Sequence, residues 1–445
     1  PTKHFGTLIY EGNSSTQVIT DTNEVDFTSD WVWVKRRDGS NSQLLFDSVR
    51  GVQKWLTSSQ GTAEGTNAAF LTAFNNGGFT SGNNGDMNVT SRNYVAWNWN
   101  AGDTDGKTYT VTVVSDSGNK YRFDGFGTSA VTLDLAEGGT YIFNYPAAHP
   151  FRFSTTADGT HGGGSEYTTG VTVLSSTSIQ IVVAASAPNL NYYCSSHSGM
   201  GGAINTNSTL GSSNFDGSVK STVKANVTAG FSIVTYSGTG SSFTFGHGLG
   251  VAPKVVSVKS RTSGDHWRFY FTGITDNDNK YLGWNSNIAV TTGGTAKWNG
   301  APTSTVFGSS GDNSTGGSSK NYIAYCFSEV EGYSKAGVYT GNANTNGTFV
   351  FCGFRPAWVL LKKTSGTDNW TIFDNKRDID NPMHRRLRVN LGDAEVTTLS
   401  SSQDQIDFLS NGFKMRSTSN NHNGNGATNI FLAFAESPFK NARAR

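Results

Sequence analysis

The sequence predicts an all-β protein of tandem β-sandwich (jelly-roll-like) repeats, and three observations carry the prediction. Charged residues make up only 15% of the chain, whereas Gly numbers 53 and Thr, Val, Tyr, Phe and Trp are abundant. That mixture favours strands joined by tight turns over helices. Aromatic residues reach 12%, and rings remove so much apolar surface from water that a disordered chain is excluded. Finally, one order of features returns three times along the 445 residues, which divides the chain into units of ordinary sandwich size.

The first copy covers residues 5–103. Phe5 to Tyr10 opens it as a strand and Gly12 turns; Trp31-Val32-Trp33-Val34-Lys35 and Leu44-Leu45-Phe46-Asp47 follow, and Asn93 to Trp99 closes it. Between them, apolar residues at near-helical spacing predict one short helix over Ala63 to Phe74. The second copy, residues 229–332, repeats the opening at Phe231 to Tyr236, the second strand at Pro253 to Lys259 and the close at Asn321 to Tyr325. In the third copy, residues 333–439, the matching positions are Tyr339 with Gly341, Pro356 to Lys362, and Asn429 to Phe434. Phe46, Asp47 and Arg50 of the first copy match Phe373, Asp374 and Arg377 of the third. Lys35, Lys259 and Lys362 each stand eight residues before Gln43, Trp267 and Trp370 respectively. Tryptophans at matching positions are expected in core or inter-domain packing, because a shared fold needs them in every copy.

Residues 104–205 have a different grammar. Thr108 to Val114 alternates as a strand, Val131 to Leu135 and Thr140 to Tyr145 flank an Glu137-Gly138-Gly139 turn, and Ile179 to Ala185 is a buried strand. Residues 206–228 are rich in Ser, Asn, Gly and Thr and read as a linker, and 440–445 as a C-terminal tail.

Charge and motifs narrow the function classes. Lys+Arg 34 against Asp+Glu 33 gives no general attraction for nucleic acid or an anionic membrane. No apolar run is long enough to cross a bilayer, and PTKHFGTLIY is not patterned as a signal peptide. Pro1 fits a chain made in a cytoplasm whose initiator Met was removed. The three cysteines, Cys194, Cys326 and Cys352, lie too far apart for a disulfide framework; Cys326 and Cys352 sit in apolar strands as small hydrophobes. The Gly102–Gly106 loop has the wrong glycine spacing for a phosphate cradle. Asp103, Asp105, Asp276 and Asp278 read as turn formers rather than calcium ligands. With neither a G-x-S-x-G elbow nor an H-E-x-x-H motif, no enzymatic activity is expected. The basic run His384 to Arg388 is expected to be a solvated face, and His161 a solvated loop residue.

The sharpest chemical signal is Asn191 to Gly202, NYYCSSHSGMGG, which holds Cys194, His197 and Met200 with two residues between each successive pair. These are soft or borderline donors of the kind a copper ion takes together with a second histidine, and His149 in YPAAHPFRF supplies one.

With its upstream AAHPF and its Cys194-x-x-His197-x-x-Met200 loop, the middle unit resembles the cupredoxin family, although Pro150 stands after the first histidine. The resemblance implies a Greek-key sandwich with His149, Cys194 and His197 as in-plane copper ligands and Met200 as the axial one. A metal there is expected to pin the loop rather than to pass electrons. The flanking repeats, through FGTLIYEGN, WVWVKRRD, LFDSVRG, NYVAWNWNAG, NYIAYCFSEVEGYSKAGVYTGN and NIFLAFAESPFKNARAR, resemble a domain family of virion proteins from marine tailed bacteriophages, notably those infecting cyanobacteria. This second resemblance implies a structural protein of the virion surface, assembled in the host cytoplasm, in a tail fibre or other appendage used for assembly and host attachment. A capsid-decorating (cement) protein and a copper electron-transfer protein are the alternatives. Expected partners are other virion proteins, further copies of the chain in a homotrimer, and the host cell surface. The repeats are expected to make a long, stiff object.

Overall fold

A computed structural model describes residues 3–102 and 106–437. Strands account for almost all regular structure, and the one helical element among the described residues is a short 3-10 turn, Gly159–Gly162. Each repeat is a sandwich of a large antiparallel sheet and a small one. In the first, Phe5–Glu11, Asn93–Trp99, Trp31–Arg36, Leu44–Asp47, Lys54–Thr57 and Gly65–Thr66 lie side by side in that order, opposite Gln17–Thr20, Gly78–Ser81 and Leu71–Asn75. Leu8, Tyr10, Val32, Val34, Phe46, Tyr94 and Phe79 fill the space between the two sheets.

Strand alternation sends the remaining side chains to the far side of the large sheet. There the three repeats share one core. Trp31, Trp33, Trp97 and Trp99 of the first pack with Trp267, Trp284, Tyr325 and Phe327 of the second and Trp358, Trp370, Leu432 and Phe434 of the third. Trp31 stacks on Tyr325 at 4.5 Å and Phe5 on Phe434 at 5.3 Å. The large sheets are therefore apolar on both faces, which is why WVWVK and PAWVLLK read as continuous apolar runs.

Strand register makes the repeats directly comparable. Trp31 pairs with Trp99 and Asp47, Val255 with Phe327 and Phe271, and Trp358 with Phe434 and Asp374. Contacts between repeats then close a cycle. Gln43 Nε2 donates to Arg388 O of the third repeat (2.5 Å), Trp267 Nε1 to Thr57 O of the first (2.8 Å), and Trp370 Nε1 to Gly283 O of the second (2.8 Å). Backbone bonds follow the same cycle: Glu395 N–H to Arg37 O, Glu64 N–H to Arg261 O, and Val290 N–H to Thr364 O. The repeats thus form a pseudo-threefold ring around a tryptophan-rich centre, not the elongated array expected from tandem sandwiches. The cause is the second apolar face, which only mutual burial removes from water.

Two of the three junctions are ionic and one is apolar. Asp47 holds Arg50 at 2.5 Å and accepts the Tyr325 hydroxyl of the second repeat at 2.7 Å, while Arg261 grips Glu64 at 2.8 and 3.0 Å. Asp374 likewise holds Arg377 at 2.5 Å and accepts Trp97 Nε1 of the first repeat at 3.0 Å; Arg37 grips Glu395 at 3.1 and 2.9 Å. At the third junction the same positions carry Phe271, Ile274, Val290, Thr364 and Leu432. Ions and partners have been replaced together, so no buried charge is stranded.

Several expectations are corrected. Residues 63–74 form no helix: Gly65–Thr66 and Leu71–Asn75 are strands, divided by a turn in which Asn67 Oδ1 accepts the Ala69 N–H. Their apolar residues pair across the sandwich, which overrides the local spacing. Residues 206–228 are no linker. Ser212–Asn214 and Ser221–Asn226 are strands at the edge of the second repeat's large sheet, and small polar residues suit them because backbone ladders and side-chain bonds hold them. The run at His384 is not a solvated face, since Arg386 and Leu387 are buried and Arg386 Nη2 reaches Gln403 Oε1. Asp276 and Asp278 do serve turns, accepting the N–H groups of Gly273 and Gly300. Asp103, Asp105 and the 440–445 tail lie outside the described residues.

Candidate metal centre

Residues 106–205 make a separate two-sheet sandwich. Asn119–Phe123, Gly106–Ser115, Thr140–Asn144, Ser178–Val182 and Val171–Ser175 form one sheet; Leu133–Asp134, Gly202–Asn205, Leu190–Cys194 and Phe151–Ser154 form the other. An aromatic core of Tyr109, Tyr121, Phe123, Phe143, Phe151 and Tyr192 separates them. The unit is clamped to the second repeat through the segment after it. Asp134 receives Lys220 Nζ at 2.9 Å and Thr222 Oγ1 at 2.8 Å, and Tyr109 donates to Ser213 O at 2.9 Å.

Strand register builds the site at one end of the second sheet. Phe151 pairs with Cys194, so the turn before Phe151 and the loop after Cys194 leave the sheet together. His149 sits in that turn, its N–H donating to Pro146 O at 2.8 Å. The donor atoms of His149, Cys194 and His197 all lie within 4.8 Å of one another. Cys194 Sγ is 3.5 Å from His197 Nδ1 and 4.0 Å from His149 Nδ1. Cys194 is buried, His149 half-buried and His197 exposed, which leaves the imidazole side open to solvent. Met200 is fully buried in the same apolar cluster as Cys194.

Backbone contacts hold the loop in place. Ser195 N–H donates to Pro150 O at 3.1 Å, so the histidine turn and cysteine loop are tied by backbone where Pro150 has no side-chain donor. Tyr121 OH donates to His149 O at 2.8 Å, and burial pushes its phenol far above the usual range, keeping it a neutral donor. Gly199 N–H donates to Asp158 Oδ1 at 2.8 Å, and Lys120 Nζ reaches Gly199 O. The glycines around Met200 mark close approach: a Cβ on Gly201 would stand 1.7 Å from Tyr192 O. His161 is exposed, yet its Nε2 lies 3.0 Å from Cys194 O, so it braces the cysteine from behind. No sequence motif marks that role, because the partner of His161 is a backbone carbonyl.

The donor set suits a borderline or soft metal. Two imidazoles and one thiol converge at distances that one ion can span. Cys326 and Cys352 are buried elsewhere, and burial pushes each thiol up to about 12, which makes them inert.

The chain matches the family described as Domain of unknown function (DUF7483) over residues 1–142 and 166–438. The stretch between those segments carries His149, whereas Cys194, His197 and Met200 fall inside the match. No curated protein and no solved structure shows significant similarity to the chain.

Proposed function

The chain belongs to the DUF7483 family, and we propose that it is a structural component of a bacteriophage virion, exposed on the particle surface. Its place is a tail fibre or other appendage used in assembly and host attachment. The supporting observation is the closed ring of three sandwiches on one tryptophan core. Such a block is rigid, and its loops point outward from a fixed scaffold. A single chain already presents a threefold block, so it suits a threefold position in a particle either alone or as a homotrimer; sedimentation of the purified protein decides between the two. The experiment that tests the function is a density map of the assembled particle. Density for the ring in an appendage supports the reading, lattice positions on the capsid would favour a cement protein, and absence from the particle would sink both.

A second reading concerns the inserted sandwich, which we take as a cupredoxin-like module that binds copper through His149, Cys194 and His197, with Met200 as the weak fourth donor. The convergence of the three donors supports it. A bound ion would supply a cross-link between the histidine turn and the cysteine loop. The residues themselves prepare the place: Tyr121 and the Ser195–Pro150 bond orient His149, and His161 steadies Cys194. The ion's role is to rigidify the module rather than to pass electrons. Copper titration followed by absorption and elemental analysis tests it. One ion per chain is expected, and a colourless, metal-free protein after copper addition would end the reading.

A further inference from the structure

The pseudo-threefold ring contains three equivalent grooves, each beside the outer edge of an opening strand, and they are filled differently. In the second repeat, Ser221–Asn226 pairs antiparallel with Phe231–Ser237 along its whole length. It reaches across the junction, where Lys224 Nζ meets Asp30 of the first repeat at 2.5 Å and Asn226 Nδ2 meets Asn100 Oδ1 at 2.6 Å. In the third repeat, the connecting residues 328–333 fold over the start of Ser334–Thr340, and Glu329 Oε1 accepts the Ala336 N–H at 3.1 Å. In the first repeat, among the described residues, no strand pairs with the outer edge of Phe5–Glu11.

That edge opens on two adjoining cavities. One, of about 470 Å³, runs between Thr7–Tyr10 and Gln17–Asp21; the other, of about 1080 Å³, continues past Phe5, Gly6 and Thr7 to the third repeat. Ala357 and Ala435 line the second. They stand at the positions that Asp30 and Asn100 hold where the Ser221–Asn226 strand is seated. The open groove is therefore the counterpart of the filled one. Its polar groups also want partners: Thr7 is 3% exposed and its hydroxyl has none, and neither has Gln17 Oε1. Ile9 and Val18 line the groove at 43% and 64% exposure.

We propose that this groove is a strand-acceptor site that takes one extended segment of a different polypeptide, antiparallel to Phe5–Glu11. The open backbone edge gives the ladder, and the groove between two sheets gives the side-chain pockets. The charged groups lining the groove balance: Glu24 pairs with Lys376 at 2.6 Å and Arg355 with Glu436 at 3.1 Å, while Lys3 Nζ donates to Asn23 O and Asp21 accepts the Asn23 N–H. The segment it fits is accordingly neutral, with small or β-branched residues at alternate positions; it differs from the Ser221–Asn226 strand in carrying no lysine at the place of Lys224, because Ala357 stands where Asp30 receives that lysine. A second copy of this chain is a poor donor, because its described strands all lie within sheets.

The test uses the full chain and a synthetic peptide with the sequence of Val219–Val227 in which threonine replaces Lys220 and Lys224, VTSTVTANV, read by amide hydrogen exchange. Saturating peptide should slow exchange in Phe5–Glu11 at least tenfold, and the same peptide with proline at alternate positions should not. The Val18→Trp variant, changed at an exposed position, should fold normally and bind the peptide at least tenfold more weakly. No slowing in Phe5–Glu11 at millimolar peptide, unchanged affinity in Val18→Trp, or concentration-dependent protection of the same amides without peptide would each overturn the proposal; the last would identify a second copy as the occupant.

Discussion

Arg50→Met at the junction of the first and second repeats should be among the costliest single substitutions in the ring. The Arg50 side chain is fully buried and makes three kinds of contact: Asp47 at 2.5 Å, Glu64 at 3.3 Å and Leu45 O at 3.0 Å. Methionine fills much of the same space but leaves the buried Asp47 carboxylate with only neutral donors. Breaking a buried pair in this way costs about 3–5 kcal/mol. The molecule also contains its own remedy, because the junction of the second and third repeats carries Phe271, Ile274, Val290, Thr364 and Leu432 in place of the ionic set. Installing that set together, as Asp47→Phe, Arg50→Ile, Glu64→Val, Arg261→Thr and Tyr325→Leu, should restore stability to within about 1–2 kcal/mol of the parent. Equilibrium urea unfolding followed by tryptophan fluorescence is the assay, since Trp31, Trp33, Trp267 and Trp284 lie in the shared core. A cost below about 1 kcal/mol for Arg50→Met, or a fivefold variant no more stable than the single one, would refute the reasoning.

Acid should weaken the ring through the same junctions. Burial alone would raise the carboxyls of Glu64 and Glu395, but Arg261 and Arg50 beside the first and Arg377 and Arg37 beside the second hold both below the usual range. Their stabilisation is complete above the ordinary glutamate value of about 4.3 and lost as pH falls through the lower folded-state values; unfolding midpoints measured from pH 6 to pH 2 should fall less steeply in the fivefold apolar variant. Copper at about a hundredfold excess over its dissociation constant should stabilise the inserted sandwich by about 2.7 kcal/mol, and Cys194→Ser should abolish that gain in calorimetry. Equal melting with and without copper in the parent protein would leave the metal reading unsupported. Gly201→Ala should cost about 1–3 kcal/mol by overpacking, because its Cβ would meet Tyr192 O at 1.7 Å; a melting temperature equal to the parent's would contradict that close approach.

Much of the architecture was legible because strand patterning and internal repetition are local signals. The Phe46-Asp47-x-x-Arg50 match to Phe373-Asp374-x-x-Arg377 marked what became two ionic junctions, and the lysine-to-tryptophan spacing marked Trp267 and Trp370, which reach across to neighbouring repeats. The cysteine loop and His149 converge as their donor types suggested. What the sequence hid is non-local. WVWVK is equally compatible with a sheet buried inside one sandwich and with a sheet shared among three. Ala63 to Phe74 has helical spacing, but its partners across the sandwich decide its state. Residues 206–228 are polar enough to be a linker, and only the edge of Phe231–Ser237 reveals them as strands. His161 carried no motif, since its partner is the backbone carbonyl of Cys194.

The unequal junctions also bear on how the chain reaches its fold. Three sandwiches of near-identical shape, made in one chain, could dock in either cyclic order or with repeats of a neighbouring molecule. Only one order seats Arg261 on Glu64, Arg37 on Glu395 and Thr364 beside Val290. If the third repeat took the place of the second beside the first, Thr364 and Leu432 would face Glu64 and Asp47, and the carboxylates would be buried without their cross-junction partners. The apolar junction thus works as a key: it makes the three faces non-interchangeable, so a ring docked in the other order buries unpaired carboxylates and is disfavoured.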